Sequence, residues 1–357
     1  MEHVESPIAI SKAAGARNRR LLDLYRARRV DLESRYLMQM AHLTVPATVW
    51  KYVEKAVTGS AASLVMLDLE DSIPRDNQEM LQLGKQNIIR ALEELDWGKR
   101  LKFFRPRGIA LDPGHEDIIM IATRARASLD GLVYPKAETP AEIESLDQTL
   151  DSIERTAGLK PGKIKIEILI ESAVAVESVF EIAAASRRLA GLIFGSYDYW
   201  ASLGLRASAY RADHPLLDYA RIRIVQAAAA VGVPAIAEMT TNYPTRDKSP
   251  EQRAAALDEF RRDAKLALSF GFSGKWTGIP EQTEMAAQLF RISDEEISAA
   301  IREARTFLET ERSGRGAAMM DGKMVDRATD RVNRTALKTA YALGLIDEQL
   351  AAELGLT

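Results

Sequence analysis

Ile168-Leu169-Ile170-Glu171-Ser172, read together with Phe194-Gly195-Ser196-Tyr197-Asp198, decides how the chain folds. Each is an apolar run of the kind found in strands buried on both faces, and each ends in one acid where a loop should begin. An isolated ionised carboxylate is too costly to leave at the end of a buried strand. Two that converge need a partner, and a hard divalent cation such as magnesium is the natural one. The competing reading is that Glu171 and Asp198 cap the helices that follow them or pair with surface arginines. On these two acids alone the competing reading leads, because a carboxylate pair has no motif of its own.

Working outward, short apolar runs recur at His42 to Val45, Leu64 to Leu69, Lys102 to Arg105, Gly131 to Tyr134, Ile164 to Ile170, Gly191 to Phe194, Pro234 to Ala237 and Gly274 to Thr277. Between them lie segments of helical period, such as Ile143, Leu146, Leu150 and Ile153 on one face. Thr139-Pro140-Ala141-Glu142 and Ser249-Pro250-Glu251-Gln252 each offer an N-cap, a proline at the first helical position and an acid or amide three residues after the cap. Gly271 stands where the second of these helices should stop. Some eight strands alternating with helices over roughly 250 residues predict an α/β chain of the (β/α)8 barrel, or TIM barrel, type. No glycine-rich dinucleotide fingerprint supports a doubly wound sheet.

The domain plan follows. Residues 1–40 are expected to form a basic helical arm carrying Arg17, Arg19, Arg20, Arg26, Arg28, Arg29 and Arg35, packed on the body or on a neighbouring subunit, with a grip on phosphates as the alternative role. Residues 41–292 form the barrel. Residues 293–357 form a C-terminal helical extension, with a cap at Ser293-Asp294-Glu295-Glu296, a glycine-rich segment at Gly314-Arg315-Gly316 and a helical stretch after Asp326. The extension is expected to close a barrel mouth, its own or a neighbour's.

Composition narrows the partners. The chain is 46% hydrophobic and 28% charged, which is a globular composition, and its net charge of -3 comes from mixed signs. Neither nucleic acid nor a membrane is expected as a partner, and with no apolar leader or spanning run the expected location is cytoplasmic. Without cysteine, any metal must be held by oxygen or by one of the scattered histidines His3, His42, His115 and His214. His42, on a strand, is the one placed to touch a substrate.

In a barrel of this kind chemistry sits at the C-terminal ends of the strands. The polar residues there are Asp68, Glu70 and Asp71 after the second strand, Arg105 and Arg107 after the third, Lys136 and Glu138 after the fourth, Glu171 after the fifth, Asp198 after the sixth and Glu238 after the seventh. Such a set reads as a site for an anionic ligand bridged by a metal, because acids alone would repel it.

Six ordered motifs carry a resemblance: Leu67-Asp68-Leu69-Glu70-Asp71-Ser72-Ile73-Pro74, Tyr134-Pro135-Lys136, Leu169-Ile170-Glu171-Ser172, Phe194-Gly195-Ser196-Tyr197-Asp198, Gly271-Phe272-Ser273-Gly274-Lys275-Trp276 and Met320-Asp321-Gly322-Lys323-Met324-Val325-Asp326. From about residue 42 to about residue 335 the chain resembles the citrate lyase β-subunit and malyl-CoA lyase family. The resemblance implies a homotrimer or homohexamer whose subunits share active sites, and a lyase or aldolase that cleaves or forms a carbon–carbon bond beside a coenzyme A thioester. It implies magnesium, with manganese as an alternative ion, bound directly by Glu171 and Asp198, while Glu70 and Asp71 hold the metal's waters. Arg105 would clamp the carboxylate of a 2-oxo acid, with Arg107 and Lys136 as further substrate-binding cations, and Asp326 would serve as acid or base in an adjacent subunit's site.

The chain departs from the family's Arg-Val-Asn pattern at Arg105-Pro106-Arg107-Gly108, and Ile279 stands before Pro280 where many members have histidine. The substrate expected is a 3-hydroxy dicarboxylyl-CoA such as malyl-CoA, methylmalyl-CoA or citramalyl-CoA. Two alternatives stand beside it: a metal-dependent 2-oxo acid aldolase of the same fold that uses no coenzyme A, and a non-catalytic barrel subunit. For Asp326 a helix N-cap is the rival role, and for Lys136 a salt bridge within the barrel.

Overall fold

Runs rich in valine, isoleucine and leucine can bury both faces of a strand, and in the computed structural model, which describes residues 32–74, 76–108, 114–125 and 128–356, they do so. The strands are β1 Ala41–Pro46, β2 Leu64–Asp68, β3 Leu101–Arg105, β4 Gly131–Tyr134, β5 Lys165–Ile170, β6 Leu189–Phe194, β7 Ala235–Ala237 and β8 Gly274–Thr277. All pair in parallel and in sequence order, and β1 closes on β8 through Ala41 opposite Lys275 and His42 opposite Trp276. The expected (β/α)8 barrel is therefore what forms.

The helices between strands start and stop where their sequences say. Thr139 and Ser249 each complete a reciprocal capping box, with Glu142 and Gln252, and proline occupies the first turn of both helices. Gly158 and Gly271 end them at φ 68° and 94°, where a side chain would be strained. The N-cap exchanges are worth roughly 1 kcal/mol each.

Between barrel and helices, buried ions are paired. Arg188, 3% exposed, reaches Glu154 at 2.6 Å and Asp147 at 2.6 Å and also contacts Asp151. Glu154 in turn accepts from the amides of Gly162 and Ile164, at 2.7 Å each, so it ties the helix Pro140–Ala157 to the entry of β5. Breaking such a network from one side costs about 3–5 kcal/mol.

Alternation along β5 sends Ile166, Ile168 and Ile170 to one face and Glu167, Leu169 and then Glu171 to the other. Glu167 meets His42 from β1, with 3.5 Å between Oε2 and Nδ1, and β1 and β5 lie on opposite sides of the barrel, so this pair crosses its interior. His42 Nε2 lies 2.9 Å from Gln39 Oε1. Both residues are wholly buried, which rules out a substrate contact by His42 and corrects that expectation. Burial pushes the Glu167 carboxyl up to about 8 and the His42 imidazole down to about 3, so both are neutral at pH 7.

Residues Gln39–Leu289 make one compact unit, and Glu33–Met38 with Phe290–Thr357 make another. The expected basic arm falls mostly on residues 1–31, outside the described residues. The second unit holds the helix Asp294–Arg312, capped as expected by a Ser293–Glu296 box, and the helix Arg327–Ala342, packed through Ala300, Ala304, Leu337 and Leu354. The sequence reading missed an antiparallel hairpin between them, β9 Ala317–Met320 and β10 Lys323–Asp326. Asp321 and Gly322 turn it with φ 49° and 74°, as a two-residue Asp-Gly loop requires. Among the described residues no helix is long and apolar enough to cross a membrane.

The buried pair gives the fold a pH dependence of defined sign. For Glu167 the folded pKa lies above the ordinary value, so its contribution is complete below about pH 4.5 and is lost as pH rises through about 8. For His42 the folded pKa lies below, so its contribution is present above about 6.5 and is lost as pH falls toward 3. Glu167→Gln is expected to flatten the decline in melting temperature between pH 6.5 and 8. Melting curves of both proteins across that range check this, and equal declines would refute the assignment.

Candidate active site

The second, third and fourth strands deliver a charge cluster to the barrel mouth. Asp68 at the end of β2 stands in register with Arg105 at the end of β3, and Arg105 Nε donates to Asp68 Oδ1 at 2.6 Å. Asp68 also accepts from the amides of Glu70 and Ser72, at 3.0 and 3.1 Å, and so folds the loop that carries Glu70 and Asp71. Burial alone would raise the Asp68 carboxyl, but Arg105 and these donors hold it below its usual range.

Arg105 is 3% exposed, and its Nη1 lies 3.1 Å from Glu70 and 3.4 Å from Asp71. Its guanidinium sits over the Trp276 ring, 5.5 Å from the centroid. Lys136 Nζ donates to Glu70 at 2.6 Å and lies 3.8 Å from Asp71. Burial raises Glu70 above the ordinary carboxylate value even so, with the neighbouring Asp71 adding to it.

Glu171 faces this cluster from β5. It is buried, and the backbone amide of Lys136 donates to its Oε1 at 2.7 Å. Lys136 itself has φ 54°, in the left-handed region that residues other than glycine seldom adopt. Gly195 at the end of β6 gives Glu171 its room: a Cβ there would stand 2.6 Å from both Cβ and Oε2 of Glu171. Burial, then Glu70, then Asp198 push the Glu171 carboxyl up to about 7. Asp198, exposed in the first turn of the helix Ser196–Ser202, is thereby close enough to repel it.

The competing reading of these two acids fails at both. Ser172, not Glu171, caps the helix Ala173–Glu177 by accepting from Ala175, and the helix bearing Asp198 starts at Gly195 without a side-chain cap. Among the described residues neither acid stands in an ion pair with an arginine.

Acids and cations at the mouth do not balance. Asp68, Glu70 and Asp71 pair with Arg105 or Lys136, while Glu171 faces Glu70, Asp198 and Lys136, so five acids stand with two cations. Among the described residues no three histidine, aspartate or glutamate side chains are gathered so as to hold an ion alone. Magnesium suits such a site, since it is usually bound by one or two carboxylates and keeps several waters.

Other expected members of the set lie elsewhere. Arg107 turns to Asp117 on the helix Gly114–Ala125, at 3.0 Å, where Lys85 also reaches Asp117 at 2.8 Å. Glu238 pairs with Arg221 on the helix Pro215–Val231, and Lys275 donates to the Glu238 carbonyl at 2.7 Å. These contacts face the helix layer, where a buried charge needs its own counterion. Asp326 belongs to the C-terminal unit and caps the helix Arg327–Ala342, accepting at Oδ1 from the amides of Ala328 and Thr329, at 2.9 and 3.0 Å. The Thr329 amide foremost holds it below the usual carboxylate range. Sequence reasoning had no means of finding the Lys136 amide, which is backbone; a glycine directly after an apolar strand was the available sign for Gly195.

The sequence profile of the HpcH/HpaI aldolase/citrate lyase family matches residues 43–278. An L-malyl-CoA/beta-methylmalyl-CoA lyase of Cereibacter sphaeroides is 31% identical over 288 residues, which cover 76% of this chain and 86% of that one. A citrate lyase subunit beta of Leuconostoc mesenteroides is 28% identical, over 81% of this chain and 89% of that one. The barrel also resembles the solved structure of the CitE protein of Mycobacterium tuberculosis in complex with magnesium, acetoacetate and coenzyme A, with a TM-score of 0.60 at 24% identity over 84% of this chain and 97% of that one. With the profile spanning the barrel from β1 to β8 and the lyase relative aligned over three quarters of its length, the chain belongs to the HpcH/HpaI aldolase/citrate lyase family.

Proposed function

We propose that this chain is a magnesium-dependent lyase that cleaves or forms the carbon–carbon bond of a 3-hydroxy dicarboxylyl-CoA such as malyl-CoA, methylmalyl-CoA or citramalyl-CoA. Membership of the family makes it a carbon–carbon lyase. The observation that carries the rest is Glu171, a buried carboxylate set against Glu70 and Asp198 and, among the described residues, in no ion pair, which is the arrangement a divalent ion completes. Glu171 and Asp198 would bind the metal, and Glu70 and Asp71 would hold its waters. A magnesium ion there supplies a Lewis acid for the carbonyl or alkoxide oxygen of the 2-oxo acid portion. Manganese can replace it.

The chain's own residues do the remainder. Asp68 fixes the guanidinium of Arg105, which clamps the substrate carboxylate. Lys136 adds positive charge at the same edge and, through its amide, holds the Glu171 carboxylate in place. In cleavage, the 3-hydroxyl proton is released to solvent, the electron pair of the breaking carbon–carbon bond passes to the thioester enolate, and the carbon that bore the hydroxyl becomes the carbonyl carbon of the 2-oxo acid. Asp326, supplied by a neighbouring subunit of a trimer or hexamer, gives the enolate its proton. Its Oδ2 is the atom left for this, because Oδ1 carries the cap bonds.

Malyl-CoA cleavage to acetyl-CoA and glyoxylate is expected to require magnesium and to fall by at least two orders of magnitude in Glu171→Ala, since a direct metal ligand is removed. Turnover that survives chelation and the substitution would refute the metal site. Pyruvate proton exchange without thioester turnover would instead favour the aldolase that uses no coenzyme A. Subunit sharing has its own check: Glu171→Ala and Asp326→Ala chains, each inactive, are expected to regain part of the activity when co-expressed as mixed oligomers. Mixed oligomers with no recovered turnover would place Asp326 outside the chemistry.

A further inference from the structure

The residue before Asp198 presents a flat apolar surface. Tyr197 is 49% exposed, yet its ring is fixed: its hydroxyl is 2.9 Å from Thr241 Oγ1 in the segment after β7, and one face stacks on Tyr210 with centroids 4.4 Å apart and planes 19° apart. Tyr210 is pinned in turn, its hydroxyl 2.9 Å from Ser196 Oγ and its ring met edge-on by Trp200 at 5.4 Å and 80°. Single exposed aromatics are ordinary on a protein surface, but a ring held by hydroxyl and face together is preorganised and loses little entropy when something lies against it.

The end of β8 makes room on the same side. A Cβ on Gly278 would stand 2.7 Å from the Tyr243 hydroxyl and 2.9 Å from Met239 Cε, so glycine is what lets these two side chains occupy the space after β7. Tyr243 lies close enough to Tyr197 for the two hydroxyls to interact electrostatically. Apolar surface is thus assembled from the ends of β6, β7 and β8, next to one of the acids assigned to the metal.

We infer that the outward face of Tyr197 is the subsite for the side chain of the 2-oxo acid, and that it favours an apolar or aromatic side chain over the bare hydrogen of glyoxylate or a second carboxylate. The inference rests on the assignment of Asp198 to the metal. A 2-oxo acid carries its carboxylate and oxo oxygens on one edge and its side chain on the other. With the oxygens assigned to Arg105 and the metal, the side chain is the part left to meet an apolar surface, and the Tyr197 ring next to Asp198 offers one. Glyoxylate has nothing to lay on a ring, whereas a branched alkyl or phenyl group gains contact area, and the negative face of an aromatic ring disfavours a carboxylate.

The test is calorimetric binding of glyoxylate, oxaloacetate, 4-methyl-2-oxopentanoate and phenylpyruvate to the full chain with magnesium, for wild type, Tyr197→Ala and Tyr197→Leu, each first shown to be folded by its melting curve. Wild type is expected to bind phenylpyruvate on the order of tenfold more tightly than glyoxylate, and Tyr197→Ala to erase that ratio. Tyr197→Leu should keep the preference for 4-methyl-2-oxopentanoate and lose that for phenylpyruvate, and it decides the matter where the alanine variant does not fold. Equal ratios in all three proteins, or no binding of any 2-oxo acid by wild type, overturn the inference. Binding in the expected order without cleavage of any thioester would leave the subsite standing and remove the lyase reading; thioester cleavage with unchanged ratios would do the reverse.

Discussion

Everything at the barrel mouth turns on the Glu171 carboxylate, which is buried, faces two other acids and, among the described residues, forms no ion pair with an arginine or lysine. Arg105 and Lys136 are already committed: one is shared among Asp68, Glu70 and Asp71, the other reaches Glu70 and Asp71. The consequence is visible in the proton affinity of Glu171, driven up first by burial and then by its like-charged neighbours. A group in that condition either takes up a proton or takes a cation. Two protein ligands and open positions for water match the demands of magnesium more closely than a closed cage of side chains would.

The scaffold goes to some length to keep that carboxylate where it is. Strand alternation turns Glu171 inward on the same face as Glu167, about 13 Å further along β5 at the usual rise per residue. A left-handed lysine supplies the amide that grips one oxygen, and a glycine on the neighbouring strand leaves space for the other. Strain and a missing side chain on two different strands serve a single group, and sites of chemistry are where such expense is commonly found.

The barrel was legible in the sequence because strand pattern and caps are local. Fully apolar runs such as Leu64 to Leu67, and boxes such as Thr139–Glu142, need only their own neighbours to be read. The acids assigned to the metal stood out for a related reason, since an acid at the end of a buried strand is a local contradiction. What the sequence hid was direction. Arg107 and Glu238 occupy strand ends just as Arg105 and Glu171 do, but they turn toward Asp117 and Arg221 on the surrounding helices, and no spacing rule separates the two outcomes. The hairpin after Gly316 was hidden differently: its Asp321-Gly322 turn was in plain sight, but its strands alternate weakly, with Met319 and Met324 both exposed.

Set side by side, the buried carboxylates of this chain meet three fates. Glu154 and Glu238 are neutralised by arginines, Arg188 and Arg221, in the layer between barrel and helices. Glu167, inside the barrel, has His42 and Gln39 as its polar neighbours among the described residues, and burial resolves the problem by keeping a proton on the carboxyl at neutral pH. Glu171 has neither remedy in full. Among the described residues its one hydrogen bond comes from a backbone amide, and the charged groups acting on it include two acids, which together with burial push its pKa up. The first two arrangements are self-sufficient and serve the fold; the third is complete only with a ligand, which is why function is assigned at that end of β5 and stability at the other.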